Sequence, residues 1–404
     1  MEISLAAILF LCIAVGWFGY RWYAGDAFSQ TLRLNGWFAP WTIHLLHWGI
    51  VLMLLWLTSD ELFPVTSRLW YSLAIWVPVF MITSFFAYWP CEPKQADAER
   101  KTSLGLWAFY GLLALSVILT PLYLRAVWHN VSEMHSAGVG ELVRNLRDLA
   151  LEDKNYGLLG WAFVINKLLY VVALSWRKKL RWWGIVMTIV GGLNVLTAAS
   201  VMEKGYLVFL VIVAAWLLYE QGVLKMWHIG LAIVAALVGA YFFTLIRTYA
   251  ETDAQDLMSF GDFFNIYVTS SSVAYCYMPT GAETQVGHHS FFLVYHILNR
   301  LGVDVFEVMP RVQPFINVPV ETNTYTVMQP FFLDFGYAGL AFFAAAFGML
   351  AGALYRLHRS GNIWGTCVYA VVLAALCTQF HQEEILGDLI VNIQYAVLAV
   401  FLAI

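Results

Sequence analysis

The chain has 404 residues, of which 61% are hydrophobic and only 12% charged, and its mean hydropathy is +0.70. Those values exclude a soluble multi-domain protein of this length, for which about a quarter of the residues would be charged. The net charge of −4 comes with basic residues scattered among apolar runs instead of gathered into a stripe, so no nucleic-acid partner is indicated.

In chain order, apolar stretches fall near 3–20, 38–58, 69–89, 104–124, 158–176, 183–201, 205–222, 226–246, 331–354, 363–380 and 388–404, about eleven in all. They are continuous, not alternating, so they read as helices and not as barrel strands. The expected fold is an all-α polytopic membrane protein. The first stretch, MEISLAAILFLCIAVGWFGY, carries Glu2 where a secretory signal would carry a basic residue, and it reads as an uncleaved first span. The five cysteines, Cys12, Cys91, Cys276, Cys367 and Cys377, are far apart and form no CxxC, so neither a disulfide framework nor a metal site is expected.

Basic residues in short loops set the orientation. One set of alternate loops holds Arg21, Arg33, Lys94, Arg100, Lys101, Arg177, Lys178, Lys179, Arg181, Lys225, Arg356 and Arg359; the short loops of the other hold only Arg68 and Lys204. The asymmetry predicts RKKLR and RLHR in the cytoplasm, the N-terminus outside and the C-terminus inside. Three regions follow: 1–246 with eight spans and an outer segment near 125–157, in which GELVRNLRDLALEDK reads as an amphipathic helix; 247–330 as a large outer loop; and 331–404 with three more spans. The loop mixes aromatic, polar and apolar residues and reads as folded and not as a linker.

Charges at membrane depth are costly unless paired or set in a wet cavity, so each is a candidate site residue. Glu203 and Lys204 lie in the tight junction VMEKG, Arg247 ends FFTLIRTY, Asp334 sits near the start of the ninth span, and Arg300 and Arg311 lie in the large loop. Bland readings stand beside the functional ones. Arg247 either snorkels to headgroups or binds an anion; Glu203 and Lys204 either neutralise each other or serve chemistry; Asp334 either caps its own helix or takes part directly. His289 and His296 are seven apart, which would place them on one helix face, yet HHxxxxxxH is no zinc signature. His381 and Glu383 in HQEE are titratable, in what is either a site or a solvated loop. His44 and His47 read as hydrogen-bonded within the bundle, while Asn166 and Lys167 are polar groups inside the fifth span.

The segment NTYTVMQPFFLDFGYAGLAFF, followed by GMLAGALYR, resembles the bacterial oligosaccharide repeat-unit polymerases, the O-antigen polymerases, which commonly carry N-x-Y-T followed by D-F-G-x-x-G. Here those positions are Asn323, Tyr325 and Thr326, then Asp334, Phe335, Gly336 and Gly339. The related O-antigen ligases place a histidine where this chain has Tyr325, so the resemblance is to the polymerases first and the ligases second. Lys204 stands where these families usually have an arginine; it keeps the charge and loses the bidentate fork.

The resemblance implies a glycosyltransferase of the membrane-embedded GT-C-like kind in the bacterial inner membrane, with the large loop in the periplasm. The growing glycan would pass from undecaprenyl diphosphate onto a sugar hydroxyl of a second undecaprenyl diphosphate-linked repeat unit, as in lipopolysaccharide assembly. Arg247, Lys204, Arg311 and Arg300 would hold the diphosphate, so no metal or other cofactor is called for. Glu203, Glu321, His296, His381 and Glu383 are the candidate bases; Tyr325 is placed by the motif but is a weak base, with an ordinary pKa of about 10. Asn323, Thr326 and Asp334 would position the substrate, and Tyr267, Tyr275 and Tyr277 either stack on sugars or anchor at the interface. A polysaccharide chain-length regulator is the protein partner the family implies. The alternatives are a ligase acting on lipid A–core and a lipid-linked oligosaccharide flippase.

Overall fold

The computed structural model describes residues 36–57, 62–88, 102–133, 145–146, 156–201, 204–231, 260–279, 287–303 and 313–403, with isolated positions between 234 and 245. Eleven α-helices are defined among them: α1 Pro40–Leu57, α2 Ser67–Tyr88, α3 Thr102–Glu133, α4 Trp161–Ser175, α5 Trp183–Val201, α6 Lys204–Glu220, α7 Phe260–Tyr277, α8 Phe292–Arg300, α9 Gln329–Arg359, α10 Ile363–Cys377 and α11 Leu389–Ala403. A short antiparallel hairpin, β1 Ile316–Asn317 and β2 Glu321–Thr322, is the one strand pair in the described residues.

Six helices are long and apolar enough to cross a membrane: α1, α2, α3 from Leu104, the run Gly157–Ser175 that includes α4, α5 to Ser200, and α9. The helices of α6, α10 and α11 are shorter and equally apolar. Nine of the expected spans coincide with these helices; the one expected near 226–246 is described only in part, and the first lies outside the described residues, as does most of the expected amphipathic helix. Many of the large apolar residues of α2 and α3 point outward, among them Phe86, Trp107 and Ile118. That exposure is costly in water and appropriate in lipid.

The chain divides into two compact units. The first comprises Met1–Glu92, Asn265–Arg356 and Ala375–Leu389, and the second Pro93–Phe264, Leu357–Ala374 and Ile390–Ile404.

In the first unit the core is aromatic. Trp41, Trp48, Trp76, Phe80 and Phe331 are fully buried, and Phe331 stacks on Phe343 with ring centroids 4.1 Å apart. Helices α2 and α9 meet backbone to backbone at Gly348-x-x-x-Gly352. A Cβ at Gly348 would lie 2.6 Å from the Phe80 carbonyl oxygen, and one at Gly352 would lie 2.8 Å from the Ser84 carbonyl carbon. Small residues four apart allow this close seam, which supplies the dispersion contact that lipid cannot replace.

The large loop of the sequence reading contains a buried helix. Over Val268–Cys276 of α7 every residue is buried, including the polar run Thr269–Ser272. Its mixed composition reads as surface because serine and threonine look polar in sequence. Inside a helix each hydroxyl can bond to a carbonyl one turn back or to a neighbour, and Ser271 Oγ donates to the Phe380 carbonyl.

The second unit is organised around Asn166 on α4. Its Nδ2 donates to Thr120 Oγ1 at 3.0 Å and to Thr197 Oγ1 at 2.9 Å, and its Oδ1 accepts from Ser116 Oγ. Asn194 Nδ2 donates to the Asn166 carbonyl at 3.0 Å, while Asn194 Oδ1 accepts from Tyr206 at 2.7 Å. Four helices, α3, α4, α5 and α6, are tied by one satisfied buried network. Beside it, Lys167 Nζ lies 4.4, 4.7 and 5.3 Å from the rings of Phe163, Tyr206 and Phe209. Three π-faces thus hold the cation where no carboxylate reaches it among the described residues.

Candidate functional site

The residues of the D-F-G-x-x-G motif are in the first unit, and each has a structural task. Helix α9 begins at Gln329, whose N–H donates to the Thr326 carbonyl at 3.0 Å. Asp334 is therefore in the second turn, beyond the free N–H groups of its own helix, and the expectation that it caps α9 is corrected. Its carboxylate instead accepts from the backbone N–H of His289 at 3.1 Å and of Ser290 at 2.6 Å. Those amides lie in the turn leading into α8, so Asp334 anchors the segment before a neighbouring helix. Gly336 follows in a non-helical conformation, φ 60 and ψ −148, which only glycine adopts without strain. Gly339 faces the Phe331 carbonyl so closely that no side chain fits there without displacing backbone.

The expectation that His289 and His296 share a helix face is also corrected. Helix α8 starts at Phe292, so His289 lies in the turn before it. Burial holds the His289 imidazole below its ordinary value, with Asp334 pulling upward and His288 pushing it further down. His296 is half-buried on α8, and Arg300 is exposed in that helix's last turn, where its charge complements the negative end of the dipole.

The N-x-Y-T residues are next to a second polar cluster. Tyr325 is buried and donates from its hydroxyl to the Pro314 carbonyl at 2.9 Å; burial raises its phenol above the ordinary value, which weakens it further as a base at neutral pH. Thr326 is buried with no hydrogen-bond partner for Oγ1, and the half-buried Asn323 has no side-chain bond among the described residues. Val327 N–H donates to the Gln379 carbonyl at 2.8 Å, which joins this segment to the connection between α10 and α11. Gln379 Oε1 in turn accepts from the indoles of Trp48 at 3.0 Å and Trp76 at 3.5 Å. His47 stacks on Phe380 with centroids 5.6 Å apart, and His44 on Phe80 at 4.1 Å. The expectation that the two histidines hydrogen-bond within the bundle is corrected: both ring nitrogens of His44 and Nε2 of His47 are buried without a hydrogen-bond partner, and the rings are held by stacking instead.

Glu383, one of the candidate bases, has both oxygens occupied by backbone. Oε1 accepts from Ile385 and Leu386 at 2.7 and 2.9 Å, and Oε2 from Leu386 and Gly387 at 3.0 and 2.8 Å. Burial pushes its carboxyl up to about 7 against the opposing pull of those N–H groups. His381 is half-buried two residues away, and Glu321 is exposed in β2. Glu203, Arg247 and Arg311 lie outside the described residues; Lys204 opens α6, but its side chain lies outside them also. Among the aromatic candidates, Tyr275 is buried and bonded to Ser72 Oγ at 2.7 Å, so it presents no face to a sugar, whereas Tyr277 is part-exposed with its hydroxyl on the Pro64 carbonyl.

Two residues of the site carried little signal in sequence. Gln379 is a neutral residue at the end of an apolar run. Arg68 reads as one more loop cation, yet its Nη1 donates to the carbonyls of Tyr275 at 3.1 Å and Met278 at 3.0 Å, and its guanidinium lies 5.4 Å from the Phe332 ring centroid. Only the violation of the charge asymmetry could have singled it out.

No protein-family pattern, curated protein or solved structure matches this chain.

Proposed function

We propose that the chain is a membrane glycosyltransferase, a repeat-unit polymerase of the O-antigen kind. It moves a growing glycan from undecaprenyl diphosphate onto a sugar hydroxyl of a second undecaprenyl diphosphate-linked unit at the outer face of a bacterial inner membrane. The observation that carries this reading is the arrangement of the motif. Asp334, Gly336 and Gly339 fasten the turn before α8 to an apolar helix, while the buried Thr326 hydroxyl has no hydrogen-bond partner and the half-buried Asn323 amide makes no side-chain bond among the described residues. An anchored frame with uncommitted donors and acceptors suits the orientation of a hydroxylated substrate.

In this mechanism the diphosphate leaving group gathers negative charge as the glycosidic bond breaks, and fixed cations lower the barrier. Arg300, Arg247, Lys204 and Arg311 are the proposed cations. The acceptor hydroxyl loses its proton to a base for which His381, His296, Glu321 and Glu203 remain candidates. Glu383 is the weaker one, because its oxygens are already engaged. A chain-length regulator is the proposed protein partner.

The test is an assay with purified protein and undecaprenyl diphosphate-linked repeat units, with and without EDTA, comparing the unaltered chain with Arg247→Ala. A ladder of longer lipid-linked glycans that survives EDTA and is lost in the variant supports the proposal. Transfer to lipid A–core alone would reassign the chain as a ligase. Movement of the units across proteoliposomes without any ladder would make it a transporter.

A further inference from the structure

We infer that Arg68 is the fixed cation of an anion site for the phosphate group of a membrane amphiphile, built from α2, α7 and the first turns of α9. It does not depend on the glycosyl-transfer reading. Arg68 sits in the first turn of α2, and its Nη1 satisfies two carbonyls at the C-terminal end of α7, those of Tyr275 and Met278. Such carbonyls are the orphan acceptors of a helix end, and a guanidinium is a fitting cap for them. The cap uses one nitrogen. Nε and Nη2 bring three further N–H groups in a rigid fork, and no acceptor or carboxylate among the described residues meets them.

The fork is held in place from several sides. The Arg68 carbonyl accepts from Ser72 Oγ at 2.7 Å, and Ser72 also bonds the Tyr275 hydroxyl. Phe332 lies beneath the guanidinium and packs against Tyr337 with centroids 5.2 Å apart. Tyr337 meets Tyr71 edge to face at 6.3 Å, and these two tyrosines remain 38% and 57% exposed, which leaves the surroundings of the cation open. A half-buried arginine with uncommitted donors, framed by accessible tyrosines at the end of a membrane-spanning helix, matches an anionic head whose tail lies in lipid. Because the guanidinium is positioned before any ligand arrives, little ordering cost opposes binding.

The experiment uses the full chain in dodecyl maltoside, labelled with phenylglyoxal and read residue by residue by mass spectrometry. The four conditions are no addition, dioleoyl phosphatidic acid, dioleoylglycerol and inorganic diphosphate. Arg68 is expected to react without addition and to be protected by phosphatidic acid but not by dioleoylglycerol. Additional protection by inorganic diphosphate assigns the site to the phosphate group itself, and protection by phosphatidic acid alone assigns it to a lipid-borne head; both support the inference. Equal labelling in all four conditions, or no labelling without addition, overturns it. Arg68→Gln is expected to bind phosphatidic acid about ten- to hundredfold more weakly. Unchanged binding by a folded Arg68→Gln would also overturn the inference, and the labelling of the unaltered protein decides the matter if that variant does not fold.

Discussion

The Asp334 carboxylate accepts the Ser290 N–H at 2.6 Å across a separation of 44 residues. With the companion bond to His289, it fixes the turn before α8 to the second turn of α9. Asp334→Ala removes both acceptors and is expected to cost about 2 kcal/mol of local stability. Amide exchange at His289 and Ser290 should accelerate, while exchange in α4 should not change; unaltered protection at the two amides would show that the anchor is dispensable.

Gly336 offers a sharper steric test. Alanine at φ 60 and ψ −148 is strained by about 1–3 kcal/mol, so Gly336→Ala should unfold at lower temperature in detergent even though the added methyl group has open space around it. An unchanged transition would mean that the helix straightens there at no cost.

Glu383 predicts a pH dependence of definite sign. Its carboxyl is raised in the folded chain to about 7, above an unfolded value of about 4.3, so the folded state binds more protons between those values. The contribution is fully present below the unfolded value, is lost as pH rises toward 7 and is flat above. Unfolding of the unaltered chain between pH 5 and 8 should show that decline, and Glu383→Gln should show a flatter profile from a lower baseline, because its amide meets N–H donors with N–H. Identical profiles would remove the assignment.

Asn166→Leu tests the buried network. Three hydroxyls, those of Ser116, Thr120 and Thr197, lose their shared partner, and the expected loss is about 2 kcal/mol by reversible unfolding in mixed micelles. Full retention of stability would show that the Ser116 and Thr120 hydroxyls turn to their own helix carbonyls, as Thr197 Oγ1 already does by donating to Leu193 at 2.8 Å.

Thr326→Val separates substrate binding from folding. The hydroxyl has no hydrogen-bond partner among the described residues, so the variant should fold with unchanged or slightly higher stability, while ladder formation should fall by about tenfold if Thr326 orients substrate. Full activity would restrict Thr326 to packing.

How much of this was legible in the sequence follows from the range of the forces involved. Spans such as 183–201 and α5, or 388–404 and α11, agree closely because hydrophobic run length is a local property. The junction between α5 and α6 was legible for the same reason. Asp334 was correctly placed near the start of α9 and wrongly assigned to it, because its partners are amides 44 residues away. Thr269–Ser272 looked polar and are buried, since helix carbonyls can satisfy hydroxyls that a composition scan counts as hydrophilic. Gln379 and Arg68 were missed as site residues because their meaning depends on which chain ends meet them, and no local pattern encodes that.

Helix α3 carries one further consequence. Its 32 residues amount to about 48 Å at 1.5 Å each, well beyond a hydrocarbon layer of about 30 Å. Leu104–Leu124 alone is about 31 Å long, enough for that layer, so the residues from Arg125 on are surplus to a crossing. Tyr123, Val127 and Val131 pack on Ala162, Tyr156 and Leu159 and form a collar at the head of α4. With apolar length to spare and Pro121 interrupting its hydrogen-bond ladder, α3 can meet layers of different thickness by tilting or bending, and the collar is where such a change would reach the rest of its unit.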